Sequence, residues 1–181
     1  MTTYVALLRG VNVGGRGKVA MSELRRVVEA LGHRQVRTYI QSGNLLFDSS
    51  ITNEARISSE LSAAIERELG LQVAVALRTP TELARAVARH PFAGDEPDLA
   101  KLMICFLVAE PTAAAAGTLE PERFSPERFA LIGREVHLHY PNGSGRSKLT
   151  SDYFERRLGV AGTTRNLRTV QKLIDQATDD D

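Results

Sequence analysis

The sequence is short of cysteine, of aromatic residues and of long apolar runs, and each shortage excludes a class of protein. Its one cysteine forms neither an intramolecular disulfide nor a zinc-finger ligand set. With no tryptophan and an aromatic content of 6%, few rings are available for stacking on nucleic-acid bases. No apolar run reaches the roughly 18 residues of a membrane span, and the N-terminus lacks the pattern of a secretory signal. We therefore expect a cytoplasmic protein with no membrane partner.

The residues that are present are typical of a globular protein, with 43% hydrophobic and 25% charged residues in a chain of 181. A net charge of +1 hides an uneven distribution. Residues 1–47 contain seven basic and two acidic residues, and residues 141–174 contain the same numbers. Each of these basic blocks includes a glycine-rich stretch, at residues 9–18 and 142–148. These stretches are candidate anion sites, because glycines allow backbone N–H groups to converge.

The spacing of apolar residues predicts a ferredoxin-like half in residues 1–79. Its expected elements are, in order, a strand at 4–8, a helix at 21–31, strands at 36–40 and 45–47, a helix at 57–69 and a strand at 73–77. Gly32 and Gly70 stand where the two helices should end. This βαββαβ order places two helices on one face of an antiparallel sheet.

Residues 80–99 are expected to form a connecting helix and loop, and residues 100–181 a second plait-like half with a C-terminal helix. The expected elements of that half are a strand at 102–108, a small helix at 111–116, strands at 129–132 and 136–140, and helices at 152–158 and 166–177. Its fourth strand has only a short candidate, residues 160–163. The predicted fold class is therefore α+β, with two ferredoxin-like (α-β plait) halves and antiparallel sheets.

Five short motifs occur in a fixed order along the chain. They are RGVNVGG from Arg9, TYIQSGN from Thr38, HPF from His90, SKLT from Ser147 and TRN from Thr164. Over essentially its whole length the chain resembles the bacterial family called domain of unknown function 1697. The resemblance implies a two-part α/β-plait fold and no known activity. Members of that family often have Trp after the last motif, where this chain has Leu167. If the ring stacks on a ligand in the family, Leu167 does not supply that contact, and if the ring only packs, leucine replaces it.

The first glycine-rich stretch matches two nucleotide-binding motifs only in part. Gly15, Gly17 and Ala20 fit the dinucleotide fingerprint G-x-G-x-x-A, but the next strand offers no acid to hold a ribose and leads into a hairpin. A Walker A loop is excluded because Val19 follows the Gly-Lys pair. A general anion-binding loop remains, surrounded by Arg9, Arg16 and Lys18. The alternative is an ordinary connection with solvated basic residues.

The last predicted helix begins with cations, whereas the other helices begin with acids. Arg165 and Arg168 fall in or beside its first turn, and Lys172 follows on about the same face. Cations at this end oppose the helix dipole, but a bound anion is stabilised by the dipole and the cations together. We therefore expect an anion at this helix start. The alternative is that Asp or Glu residues from elsewhere in the fold pair with the cations.

Three of four other residues with reactive side chains have simpler explanations than catalysis or metal binding. His137 and His139 alternate on a predicted strand, and two imidazoles are too few for a closed zinc site. An exposed sheet face or a domain interface is their expected setting. Cys105 lies in an apolar strand and is expected to be buried. His90 is the one candidate general base, and we expect no metal and no cofactor.

We predict that the two glycine-rich stretches, the first hairpin tip and the last helix start converge between the halves. There they would bind a phosphate-bearing partner, either a nucleotide-like small molecule or a nucleic-acid backbone. The predicted ligand-binding residues are Arg9, Asn12, Gly14, Gly15, Lys18, Gln41, Ser42, Asn44, Ser147, Lys148, Thr164, Arg165, Asn166, Arg168 and Lys172. One alternative is an enzyme that acts on a phosphorylated substrate. The other is a structural or interaction module without a ligand, held together by Arg9, Asn44, Ser147 and Asn166. The oligomeric state stays open.

Overall fold

Two four-stranded antiparallel sheets form the framework of the protein in a computed structural model, which describes residues 1–15 and 17–179. The chain divides into two compact units. The first contains Met1–Glu82 and the described part of Leu173–Asp181, and the second contains Leu83–Lys172. Each unit holds one sheet built from a βαββαβ run. The predicted α+β class with two ferredoxin-like halves is therefore confirmed.

In the first unit, the two helices cover one face of the sheet. The elements are β1 (Thr2–Leu8), α1 (Met21–Ala30), β2 (Arg34–Tyr39), β3 (Asn44–Ser49), α2 (Glu54–Leu69) and β4 (Val75–Arg78). The strand order is β2-β3-β1-β4, so β1 is central and pairs antiparallel with β3 and β4. Tyr4, Ala6 and Leu8 alternate along β1 and pack in the core with the apolar faces of α1 and α2. Full burial of a large aliphatic side chain such as Leu8 stabilises the fold by roughly 1.5–3 kcal/mol.

The two helices of this unit begin differently. Asn53 caps α2, and its side chain accepts a hydrogen bond from the Arg56 N–H at 2.9 Å. Gly70 ends α2 in the left-handed conformation, as its position after the last apolar residue predicts. The residue before α1 is Ala20, which has no side-chain acceptor to satisfy the first backbone N–H groups.

The second unit repeats this architecture. The remaining elements are α3 (Pro80–Ala88), β5 (Leu102–Leu107), α4 (Ala113–Ala116), β6 (Arg128–Ile132), β7 (Glu135–His139), α5 (Ser151–Leu158), β8 (Gly162–Asn166) and α6 (Leu167–Thr178), with short 3-10 turns at Leu99–Lys101 and Pro121–Phe124. Its sheet has the order β6-β7-β5-β8. Cys105 is fully buried in the core of this unit, as expected for a small apolar residue in a central strand.

The fourth strand of the second unit corrects the sequence prediction. It runs over Gly162–Asn166 rather than 160–163, because each of its residues pairs with β5. Arg165 lies opposite Ile104 in this ladder. Arg165 is therefore a strand residue and not part of the first helical turn, and it does not share a helix face with Arg168 and Lys172.

Across residues 1–15 and 17–179, no helix is long and apolar enough to span a bilayer.

Candidate functional site

The loop between β1 and α1 is held closed by the side chain of Asn12. Its Oδ1 accepts a hydrogen bond from the Val19 N–H at 2.9 Å, and its Nδ2 donates to the Val19 carbonyl at 3.2 Å. The same Nδ2 donates to the carbonyl of Gln41 at 2.8 Å. Its backbone N–H donates to the Gly17 carbonyl at 3.0 Å. Asn12 thus joins the loop to the start of α1 and to the tip of the β2–β3 hairpin.

Two glycines allow the loop and the hairpin tip to approach each other. Gly17 has φ +60°, and a Cβ atom there would collide with the carbonyl of Gly10. Gly43 has φ +76°, and a Cβ atom there would lie 2.9 Å from the Cβ of Leu8. Both positions combine a left-handed backbone with close neighbours, so only glycine fits without distortion. Gly43 belongs to the TYIQSGN motif, and Gly17 lies two residues after the RGVNVGG motif. These contacts give a physical reason for glycine at both positions.

A cavity of about 480 Å³ lies where the loop, the hairpin tip and the start of α1 meet. Its described lining consists of Asn12, Gly15, Lys18, Val19, Ala20 and Gln41. The volume is within the range of roughly 300–1,000 Å³ that is usual for small-molecule sites. Four of the six residues were predicted to bind a ligand, and two sequence motifs that are far apart in the chain meet here. Val19 and Ala20 were not predicted to line a site, because apolar side chains do not indicate a particular ligand. Their position just before the predicted helix was the one feature of the sequence that could have indicated them.

The other predicted residues of the first unit are not part of the described lining of the cavity. Asn44 is fully buried, and its Nδ2 donates to the Tyr39 carbonyl and to the Ser42 hydroxyl, both at 3.0 Å. These two bonds stabilise the hairpin turn. Arg9 directly follows β1, and its backbone N–H donates to the Ala74 carbonyl at 3.0 Å. Gly14 lies within the loop at φ +57°, and Arg16 lies outside the described residues.

Residues 1–137, which include the loop and the hairpin tip, match the family model described as protein of unknown function (DUF1697). The chain belongs to this family. The DUF1697 protein is also similar in fold to the conserved bacterial protein SP0830 from Streptococcus pneumoniae, with 24% sequence identity and a TM-score of 0.71. That similarity covers 98% of this chain and 99% of the other. No curated protein matches the sequence.

In the second unit of this DUF1697 protein, Ser147 and Thr164 have local structural partners. Ser147 donates to the Glu127 carboxylate at 2.7 Å and accepts from the Leu149 N–H at 2.9 Å. The Thr164 hydroxyl lies 2.8 Å from that of Ser151. Lys148 is exposed.

The start of α6 is capped by a side chain of the protein itself. Asn166 Oδ1 accepts a hydrogen bond from the Thr169 N–H at 2.8 Å, as expected of an N-cap residue. Leu167 is 3% exposed, so the residue that replaces the family's Trp packs in the interior. The cap satisfies a backbone donor that an anion would otherwise need to satisfy.

The cations around this helix start have separate environments. Arg165 is half-buried and donates to the Thr163 hydroxyl at 2.6 Å and to the Thr164 carbonyl at 3.0 Å. Burial lowers the pKa of Arg165 to about 10, so its guanidinium is charged at neutral pH. Arg168 is exposed and lies 4.0 Å from the Asp98 carboxylate, and Lys172 is exposed one turn further along.

His90 is engaged by the backbone at both ring nitrogens. Its Nδ1 accepts from the Phe92 N–H at 3.3 Å, and this assigns the proton to Nε2, which lies 3.1 Å from the Met103 carbonyl. Burial lowers its pKa. A ring held in this way has no free lone pair with which to accept a proton from a substrate.

Of the two settings expected for the other two histidines, the exposed sheet face is wrong, because both rings are covered. His137 is fully buried, and its ring lies edge-on to that of His90 with a centroid distance of 4.9 Å. Neither of its ring nitrogens has a hydrogen-bond partner among the described residues. Burial, with a smaller contribution from His90 and Arg89, lowers the pKa of His137 to about 4.

His139 belongs to a polar chain next to this pair. Its Nε2 lies 3.0 Å from the Glu96 carboxylate, and its Nδ1 accepts from the Arg128 guanidinium at 3.1 Å. The hydrogen bond from His139 lowers the pKa of Glu96. In the part of the chain that the structure describes, no three His, Cys, Asp or Glu side chains are placed to hold a metal ion together.

Proposed function

We propose that this DUF1697 protein binds a phosphate-bearing ligand in the cavity of the first unit. The observation that carries the proposal is the composition of that cavity, in which Lys18, Gly15, Asn12 and Gln41 meet at the start of α1. A loop with left-handed glycines before a helix is a common form of anion site, because its backbone N–H groups point in similar directions.

The charges around the cavity favour an anion. Lys18 is exposed and supplies the positive charge among the described lining residues. Glu23, the acid in the first turn of α1, is paired with Arg26 at 3.1 Å, which reduces its repulsion of an anion. Residues 1–47 as a whole contain five more basic than acidic residues. These features would attract a phosphate group before any directional contact forms.

The Gln41 side chain would supply direction. It lines the cavity, and a primary amide offers both a donor and an acceptor. The Asn12 amide is occupied with the loop and hairpin, so its role would be to hold the cavity in shape. An enzyme that acts on a phosphorylated substrate is less well supported, because the described lining contains no carboxylate or imidazole to act as a base.

Titration calorimetry of the native protein and of two lysine variants with inorganic phosphate tests the proposal. Lys18→Ala should weaken phosphate binding by about 10- to 100-fold, since charge-assisted hydrogen bonds contribute about 1.5–3 kcal/mol. Lys148→Ala removes the same charge from an exposed position in the other glycine-rich stretch and should leave binding unchanged. No saturable binding, or an equal loss in both variants, would contradict the proposed site.

A second experiment, in which the salt concentration is varied, distinguishes a small phosphate ester from a nucleic-acid backbone as the ligand. A small phosphate ester should bind with one-to-one stoichiometry and a modest dependence on salt. A short oligonucleotide that contacts several phosphates should lose affinity steeply as salt is raised. The two affinities at one salt concentration would identify which form of phosphate the cavity prefers, and the salt slopes would show how many phosphates are contacted.

A further inference from the structure

Ile40, at the tip of the β2–β3 hairpin, has a conformation and an exposure that the fold does not explain. Its φ is +49°, in the left-handed region that side chains branched at Cβ strongly disfavour. The residue is 52% exposed, so about half of its surface gains nothing from packing. A glycine or asparagine would suit the backbone better, and a polar residue would suit the solvent better.

A second exposed apolar residue lies beside the same cavity. Val13 is 60% exposed and follows Asn12, while Ile40 precedes Gln41. Asn12 and Gln41 both line the cavity and are joined by the 2.8 Å hydrogen bond from Asn12 Nδ2. Apart from the terminal Met1, Val13 and Ile40 are the large apolar side chains that the described first unit leaves exposed. Each is the chain neighbour of a lining residue, so an exposed apolar side chain adjoins the cavity lining on both the loop and the hairpin tip.

We propose that Ile40 and Val13 seat the base of a nucleotide whose phosphate lies at Lys18. This inference rests on the proposed function. If the phosphate group binds at Lys18, the inference states which residues contact the remainder of the ligand. The cavity of about 480 Å³ is much larger than one phosphate group. Between the charged and apolar ends, the Gln41 amide can donate to and accept from the edge of a base. A nucleotide has a phosphate group, and its base has a polar edge and an apolar face. These three parts match the Lys18 charge, the Gln41 amide and the apolar side chains of Ile40 and Val13.

The partner is thus a nucleotide unit, either free or as part of a strand. The strained Ile40 backbone then has a physical explanation. The protein tolerates an unfavourable conformation and an exposed apolar side chain because the bound base covers that side chain.

Calorimetry with four nucleoside monophosphates, ribose 5-phosphate and inorganic phosphate tests this assignment. In the native protein, at least one nucleotide should bind at least tenfold more tightly than ribose 5-phosphate. Ile40→Gly should remove that preference and leave the affinity for ribose 5-phosphate unchanged. The same variant should have a higher Tm than the native protein, because glycine relieves the backbone, so its loss of affinity does not come from unfolding.

Controls separate this inference from the proposed function. Val13→Ser should reduce the preference for the nucleotide as well, and Leu99→Ser, which changes an exposed apolar residue of the second unit, should not. Equal affinity for ribose 5-phosphate and every nucleotide, with both lost in Lys18→Ala, would overturn the base assignment alone. Absence of binding by every phosphate compound would overturn both. Binding of a short oligonucleotide without binding of any free nucleotide would assign the unit to a strand.

Discussion

Asn12 and Val19 are joined by two hydrogen bonds of opposite direction, one from the Val19 N–H to Asn12 Oδ1 at 2.9 Å and one from Asn12 Nδ2 to the Val19 carbonyl at 3.2 Å. The side-chain amide therefore pairs with the backbone as a neighbouring strand would. The backbone of Asn12 has a positive φ of +54°, a conformation that asparagine adopts more readily than most residues.

Replacement of Asn12 by alanine should destabilise the first unit by about 2–3 kcal/mol, because three side-chain hydrogen bonds are lost and each contributes about 0.5–1.5 kcal/mol. Urea unfolding measures the change. Asn142→Ala, at an exposed asparagine in the other glycine-rich stretch, is the matched control and should change stability by less than about 0.5 kcal/mol. Equal stabilities of the two variants would show that the Asn12 bonds contribute nothing.

Alanine at Gly43 should destabilise the protein by about 2–4 kcal/mol. The left-handed backbone alone costs about 1–2 kcal/mol for a residue with a Cβ, and contact with the Leu8 side chain adds to it. Gly94→Ala is the matched control, since Gly94 has neither a left-handed φ nor an atom within 4 Å of an added Cβ. That control should be neutral or slightly stabilising. Thermal unfolding of both variants gives the comparison.

Stability should fall as the pH is lowered from neutral to about 4, and His137 should account for much of the change. The unfolded chain takes up a proton at His137 below its ordinary pKa of 6.5, whereas the folded protein does so only near its lowered pKa of about 4. Between these values the unfolded state binds more protons, so acid favours unfolding, and the effect levels off below the folded pKa.

Urea unfolding at pH 7 and pH 4.5 tests this dependence in the native protein and in His137→Leu. From the pKa difference, the native protein should lose about 2 kcal/mol more than the variant over this interval. The variant should keep a smaller acid sensitivity, because burial also lowers the pKa values of His33 and His90. Identical losses in both proteins would show that His137 does not titrate in this way.

Loss of the Asn166 side chain should reduce stability without changing phosphate binding. Asn166→Ala removes the cap of α6 and should cost about 1 kcal/mol. Asn53→Ala removes the equivalent cap of α2 and should cost a similar amount, which makes it the matched variant. Weaker phosphate binding in Asn166→Ala alone would instead place an anion at the start of α6.

Several features of the protein follow from the sequence by itself. Apolar spacing predicts the βαββαβ order of the first half, and the helix predicted at 57–69 is found at Glu54–Leu69 with Gly70 as its end. Burial of Cys105 follows from its place in the most apolar strand. These features are predictable because helix and strand periodicity, capping and glycine stops depend on residues close together in the chain.

Tertiary structure alone decided the other features. β8 extends to Asn166 because β5 supplies a pairing edge more than fifty residues earlier in the chain, and that pairing moves Arg165 from a helix into a strand. His137 is buried because residues from a separate segment, including His90, pack over its ring. The cavity lies where Asn12 reaches the carbonyl of Gln41, which joins the loop to the hairpin tip. Strand pairing, burial and cavity shape join distant parts of the chain, so no local pattern specifies them.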